Sequence, residues 1–180
     1  MNLLLLIGLP LLTAVTVLLS RNKQQVKWIA LVGSVAQLAL AFVLFFIYKH
    51  ERETGNAAQM LFEQNYPLFK SLNINFHLGV DGISIAMILL TAFVVVAGVL
   101  VSWHIEKMTK EFYFLLLLLG MGAYGFFISL DLFILFFFLE ISVIPKYLLI
   151  GIWGSGKKEY SANKLALMLM GGSALILVGI

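Results

Sequence analysis

An all-α, polytopic bundle of transmembrane helices is the fold class this sequence predicts, and three observations predict it. Hydrophobic residues make up 62% of the 180 and charged residues 12%, whereas a soluble domain is less than half apolar and about a quarter charged. The charges fall in short clusters between long uncharged runs. Those runs approach the roughly 20 residues that a helix needs to cross about 30 Å of hydrocarbon while satisfying its own backbone hydrogen bonds.

The first span runs from Leu3 to Leu19. No Lys or Arg precedes it, no small-residue cleavage site closes it, and Arg21, Lys23 and Lys27 follow, so it reads as a retained helix and not as a signal peptide. Further spans follow over Val26–Tyr48, Gly82–Trp103, Phe112–Leu130 and Leu132–Trp153. A sixth run begins at Leu165, and its 16 residues to Ile180 would rise about 24 Å. The expectation is five complete spans and an incomplete sixth, the amino-terminal part of something longer. Four units result: helices 1 and 2 (1–48), an external loop with a short strand (49–81), helices 3 to 5 (82–153), and a cytoplasmic loop with a truncated helix 6 (154–180).

Basic residues set orientation. The first, third and fifth loops hold Arg21, Lys23, Lys27, Lys107, Lys110, Lys157, Lys158 and Lys164, eight in all, against Lys49, Arg52 and Lys70 in the longer second loop and none in the fourth. That asymmetry places the odd loops in the cytoplasm and the amino terminus outside. The net charge of +3 is thereby an orientation signal and gives no reason to expect nucleic acid as a partner.

No cysteine is present. A disulfide framework, a thiolate zinc site, an iron–sulfur cluster on this chain and a cysteine nucleophile are thus excluded. The three histidines lie in loops or at span ends without metal-ligand spacing, and no phosphate loop, nucleophile triad or haem-ligand pair occurs.

In the second loop Leu72, Ile74, Phe76 and Leu78 alternate with Asn73, Asn75 and His77, the period of a strand. Asp81 follows, where a carboxylate caps the free N–H groups of the third helix. Asp131, between spans four and five, reads as a solvated turn residue. Gln37 is expected to bond a neighbouring helix, and Gly120, Gly122, Ala123 and Gly125, like Gly171 and Gly172, to allow close helix packing.

Only Glu140 and Lys146 lie well inside a predicted span. Glu140 is the ninth residue of its run, about 12 Å below the outer end. Phe136, Phe137 and Phe138 precede it, and Ile141, Val143 and Ile144 follow. Packing does not require a carboxyl group there, because leucine would fill the space without a desolvation cost. Intramembrane ionisable groups are functional candidates, here for carrying a proton. The structural alternative is a neutral carboxyl group bonded to another helix.

Pro145 removes one helical hydrogen bond and frees the carbonyl of Ile141, so a kink is expected beside the carboxyl group, able to admit water or a polar neighbour. Lys146 points about 120° away from Glu140 around the helix. It can extend toward the cytoplasmic side, about 10 Å off, or meet a carboxylate on another helix. Tyr147, at i+7, shares the Glu140 face, as an interfacial aromatic or as part of a polar relay with Lys146.

Two stretches carry a family resemblance. Phe76-His-Leu-Gly-Val-Asp-Gly-Ile-Ser84 resembles the segment entering the third helix of the antiporter-like membrane subunits of the proton-pumping NADH:quinone oxidoreductase, respiratory complex I. Asp131-Leu-Phe-Ile-Leu-Phe-Phe-Phe-Leu-Glu-Ile-Ser-Val-Ile-Pro145, continued by Lys146-Tyr-Leu-Leu-Ile-Gly-Ile-Trp-Gly154, resembles their fifth helix, where a glutamate and a following proline are the signature. The resemblance implies a non-redox translocase subunit of a bacterial cell membrane. It would couple quinone reduction elsewhere to proton movement through Glu140, whose partner is a lysine on a later broken helix.

It implies no cofactor on this chain, with NADH, FMN, iron–sulfur clusters and quinone on other subunits. The partners it implies are the other membrane subunits, neighbouring antiporter-like ones among them, and the lipid bilayer. Lys146 departs from the uncharged residue usual after the proline. Two other functions fit the same residues: a subunit of a multisubunit sodium/proton antiporter, or a structural membrane subunit. A piece of 180 residues is expected to transport nothing by itself.

Overall fold

In a computed structural model, which describes residues 2–54, 60–69 and 74–179, six α-helices pack together, and a β-hairpin lies against α3, α4 and α5 at one end. Helix α1 spans Leu4–Leu19 and α2 Lys23–Glu53. Strands β1 (Leu61–Phe69) and β2 (Ile74–Val80) follow, then α3 (Gly82–Val101), α4 (Thr109–Ile128), α5 (Leu132–Trp153) and α6 (Lys158–Gly179). Five helices, α2 to α6, are long and apolar enough to cross a membrane, and α1 is a shorter apolar helix of 16 residues.

Helix α2 runs beyond its apolar run at both ends, to Lys23 and Glu53, and two larger differences from the apolar pattern follow. The sixth helix starts at Lys158, seven residues before its apolar run, and its 22 residues rise about 33 Å. Its first two turns, Lys158 to Lys164, are polar but contain good helix formers, so hydropathy alone misses them. The second difference is a partner strand. The expected strand is present as β2, whereas β1, whose Tyr66-Pro67 step argues against a strand, pairs with it antiparallel with Gln64 opposite Leu78 and Tyr66 opposite Phe76. Lys70, Leu72 and Asn73 lie outside the described residues.

Helix α4 occupies the centre, touching α1, α2, α3 and α5. Toward the hairpin end its Tyr124 and Ile128 close a buried cluster with Leu6, Leu44, Leu78 and Ile88. Toward the other end Tyr113 and Leu117 do so with Val17, Val26 and Val99. Aspartates start two of the helices. The Asp81 carboxylate accepts from the Ser84 N–H at 2.7 Å at the head of α3, and that bond holds its carboxyl below the usual 3.8.

Asp131 does more than a solvated turn residue would. One oxygen accepts from the N–H groups of Phe133 and Ile134, and the other lies 3.5 Å from the Asn75 N–H of β2. The Leu130 N–H donates to the His77 carbonyl at 2.9 Å. The hairpin is thereby fixed to the α4–α5 turn, and Phe76 meets Phe138 with ring centroids 6.2 Å apart.

Candidate functional site

The stripe of α5 made by Ile134, Phe138, Ser142 and Pro145 is buried, and α4 is its neighbour. Contact is close because α4 presents glycines. A Cβ on Gly122 would lie 3.0 Å from the Ser142 Cβ and 3.2 Å from the Phe138 carbonyl oxygen, and one on Gly125 would enter the Phe138 ring. The small surface read in α4 therefore is a helix contact. Nothing lies within 4 Å of a Cβ placed on Gly171 or Gly172 of α6, so those two glycines make no such contact among the described residues.

Locking Phe138 and Ser142 against α4 fixes the direction of everything between them. Two residues along an α-helix turn the side chain by about 200°, so Glu140, two from Phe138 and two from Ser142, lies on the face turned away from α4. Tyr147 is seven residues on from Glu140, close to two full turns, and shares that face. The Glu140 Oε1 atom is buried and has no hydrogen-bond partner among the described residues. A desolvated, unsatisfied carboxyl oxygen is costly and unusual, and such sites concentrate where a proton or a partner is handled.

Helix α6 covers part of this face. Ala162 packs beside Gly151, with 3.8 Å between the Ala162 Cβ and a Cβ built on Gly151. Moving eleven residues along each antiparallel helix, back from 151 and on from 162, brings the buried Ser173 level with Glu140. Its hydroxyl donates to the Met170 carbonyl at 3.0 Å. Between the helices runs a groove of about 580 Å³, lined by Val143, Tyr147, Asn163 and Met170 among others.

Lys146 is not brought to Glu140. Its ammonium donates to the Ser142 hydroxyl at 3.3 Å, one turn back toward the middle of the helix, so the side chain extends away from the nearer end. It lines a second groove, about 280 Å³ between α3, α4 and α5, with Thr91 and Ser142 as the other polar residues and no other titratable group among the described residues. Among the described residues Lys49 pairs with Glu53 at 3.7 Å and the His77 Nε2 lies 3.5 Å from a Glu63 carboxylate oxygen, both away from these grooves. Pro145 sits on the α4-facing stripe, and α5 runs unbroken through it.

Gln37 bonds across helices as expected, its side-chain amide donating to the Leu6 carbonyl at 3.1 Å. Sequence reasoning did not single out Ser142, Asn163, Glu159 or Ser173. They are ordinary helix residues until the packing of α5 against its neighbours is known.

Residues 129–180 match a family described as NADH:quinone oxidoreductase/Mrp antiporter, TM. The chain is 33% identical over 175 residues to the NAD(P)H-quinone oxidoreductase chain 4 of Adiantum capillus-veneris, spanning 96% of this chain and 34% of that one. It is 33% identical over 172 residues to chain 4 2 of Thermosynechococcus vestitus, spanning 94% and 32%. The chain thus spans about a third of the length of the curated relatives it matches.

Its fold is similar to a chain of respiratory complex I from Thermus thermophilus with bound NADH, with a TM-score of 0.78, 22% identity, and 96% of this chain and 33% of that chain covered. It is also similar to a chain of the membrane-bound sulfane sulfur reductase, an archaeal respiratory membrane complex, with a TM-score of 0.75, 23% identity, and coverage of 99% and 36%.

Proposed function

We propose, from the match of residues 129–180 to the family described as NADH:quinone oxidoreductase/Mrp antiporter, TM, and from the similarity of most of this chain to NAD(P)H-quinone oxidoreductase chain 4, that it is a proton-translocating subunit of an NADH:quinone oxidoreductase. The observation that carries the proposal is Glu140: a carboxyl group in the middle of an apolar helix, with one oxygen buried and unpartnered among the described residues. It is a protonatable group where packing needs none.

The chemistry asked of Glu140 is one proton taken up and one released per cycle. A cation brought close keeps the carboxylate ionised, and withdrawing that cation leaves a charge in hydrocarbon that a proton neutralises. The cation would come from an element outside these residues or from a neighbouring subunit. Its movement would be driven by quinone reduction elsewhere in the complex, where the redox cofactors reside. Pro145 leaves the Ile141 carbonyl without its helical donor, a second polar atom one residue from Glu140.

The same family description names an Mrp antiporter, which supports a second reading, a subunit of a multisubunit sodium/proton antiporter. Purification of the intact assembly through a tag on this chain separates the two. Co-purifying flavin, iron–sulfur clusters and NADH:quinone activity are expected. A set of small membrane proteins with sodium-dependent proton exchange and no redox centre would overturn the assignment.

In orientation, the hairpin would face outside and the α5–α6 loop the cytoplasm, as the basic residues suggest. Protease access to the α5–α6 loop, or thiol-reagent access to a cysteine introduced there, tests this directly in sealed vesicles.

A further inference from the structure

Lys146 ends in the groove of about 280 Å³ whose two walls are α3 and α5 and whose floor is α4. The α3 wall carries Leu90 and Val94, both exposed, and the small residue Ala123 lies on the floor. The polar atoms gather at one depth. Thr91 is about 14 Å from the hairpin end of α3 at Gly82, and Ser142 about 15 Å from the hairpin end of α5 at Leu132.

The hydroxyl donors at that depth are already used. Thr91 donates to the Met87 carbonyl and Ser142 to the Leu139 carbonyl, each at 2.8 Å. The Lys146 ammonium donates to the Ser142 Oγ at 3.3 Å. An ammonium has three N–H donors, so two of them have no acceptor among the described residues, and no carboxylate lines the groove. A cation at membrane depth costs several kcal/mol unless it is paired.

A lipid headgroup does not meet this charge. A lysine serving one extends toward the nearer surface, here past Trp153 about 10 Å away by helical rise, whereas Lys146 is turned back to Ser142. Helix α6 does not meet it either, since it lies on the Glu140 face of α5 and lends no residue to the groove. The missing counter-charge therefore has to be carried into the hydrocarbon on another helix.

We propose that the α3–α4–α5 groove is the docking surface for a transmembrane helix of a neighbouring subunit, and that an aspartate or glutamate on that helix pairs with Lys146. The incoming carboxylate accepts the two free ammonium donors, the aliphatic walls keep water from the pair, and Ala123 lets the helix come close. The pair also sets register, because the acid has to stand level with Thr91 and Ser142. None of this depends on the proton role of Glu140, and it applies to either assembly considered above.

The test uses the intact complex in native membranes. The photoreactive residue p-benzoylphenylalanine, placed in the position of Val94, is expected to cross-link to a transmembrane segment of another subunit that carries an Asp or Glu within two helical turns of the adduct. Adducts on lipid alone, on a helix without an acid, or on another part of this chain would overturn the proposal.

Charge reversal then tests the pair itself, with the yield of assembled complex as the measurement. Lys146→Asp sets two acids against each other and is expected to lower the yield about fivefold or more. Replacing the partner's acid by lysine in the same cells is expected to bring it back to within about twofold. Lys146→Met is expected to leave the yield nearly unchanged, because a lone carboxyl group neutralises itself by taking a proton. A loss with Lys146→Asp that the reversed pair does not recover would overturn the pairing. Glu140→Gln, run alongside, is expected to leave the cross-link and the yield as they are, so the functional reading can fail without this inference and this inference without it.

Discussion

The Lys146 ammonium reaches back 3.3 Å to the Ser142 hydroxyl, so this chain holds an amine and a carboxyl group on one helix at nearly the same depth. Ser142 is two residues, about 3 Å of rise, from Glu140 and lies on the other side of the helix. The two charges are thereby kept roughly a helix diameter apart, about 10 Å, close enough to influence each other and too far to pair.

Lys146→Met tests that influence. Methionine keeps the stem and removes the charge, so the complex is expected to assemble normally and to pump several-fold more slowly. Quinone reduction uncoupled from pumping, measured on the same membranes, reads the effect. Unchanged pumping would remove Lys146 from the proton machinery.

Helix α4 and helix α5 meet through Gly125 and Phe138, and the contact leaves no room for a Cβ. Gly125→Ala is expected to destabilise the complex by about 1–3 kcal/mol through overpacking. Phe138→Leu in the same chain should restore part of it, with a coupling of about 0.5–3 kcal/mol in the double-mutant cycle. Thermal stability of the solubilised complex is the measurement. Additive losses would mean that the two residues do not share the space.

Much of this was legible in the residues. Glu140 stands out because a carboxyl group nine residues into an apolar run has no structural excuse, and Asp81 because a carboxylate just before an apolar helix has an obvious one. The hairpin was half legible. Alternation marks β2, but β1 contains Pro67 and gains its place from pairing with β2, the strand that is bonded to the α4–α5 turn, and neither of these is a local signal. Asn163 and Glu159 were not legible at all. Their nearness to Tyr147 depends on how α6 lies along α5, and that register is set by contacts such as Gly151 with Ala162.

Asp81 gives a pH prediction. Its carboxyl is lowered from the usual 3.8 chiefly by the Ser84 N–H bond, so its contribution to the start of α3 is fully present above about pH 4 and is lost as the pH falls through the lower folded-state value. Asp81→Ala is expected to cost about 1 kcal/mol at neutral pH, and Asp81→Asn much less, because asparagine caps nearly as well. The asparagine variant should also lose the acid dependence of this step. Stability of the assembled complex between pH 3 and 6 checks both.

Asp131 joins the hairpin to the helix that carries Glu140, through the Asn75 N–H on one oxygen and the Phe133 and Ile134 N–H groups on the other. Asp131→Ala is expected to cost about 1–2 kcal/mol and to raise hydrogen exchange at Asn75 and at the first turn of α5 together. Exchange that rises at α5 alone would show that the hairpin is held by the Leu130–His77 bond without Asp131.

The most direct measurement of the central claim is the ratio of protons moved to electrons passed in the assembled complex carrying Glu140→Gln, beside Glu140→Asp. The amide keeps the size and polarity of the side chain and cannot carry the proton. The ratio is expected to fall sharply for Glu140→Gln while the complex assembles and oxidises NADH, and to remain largely intact for Glu140→Asp. A Glu140→Gln complex that assembles and pumps at the unaltered ratio would contradict the account.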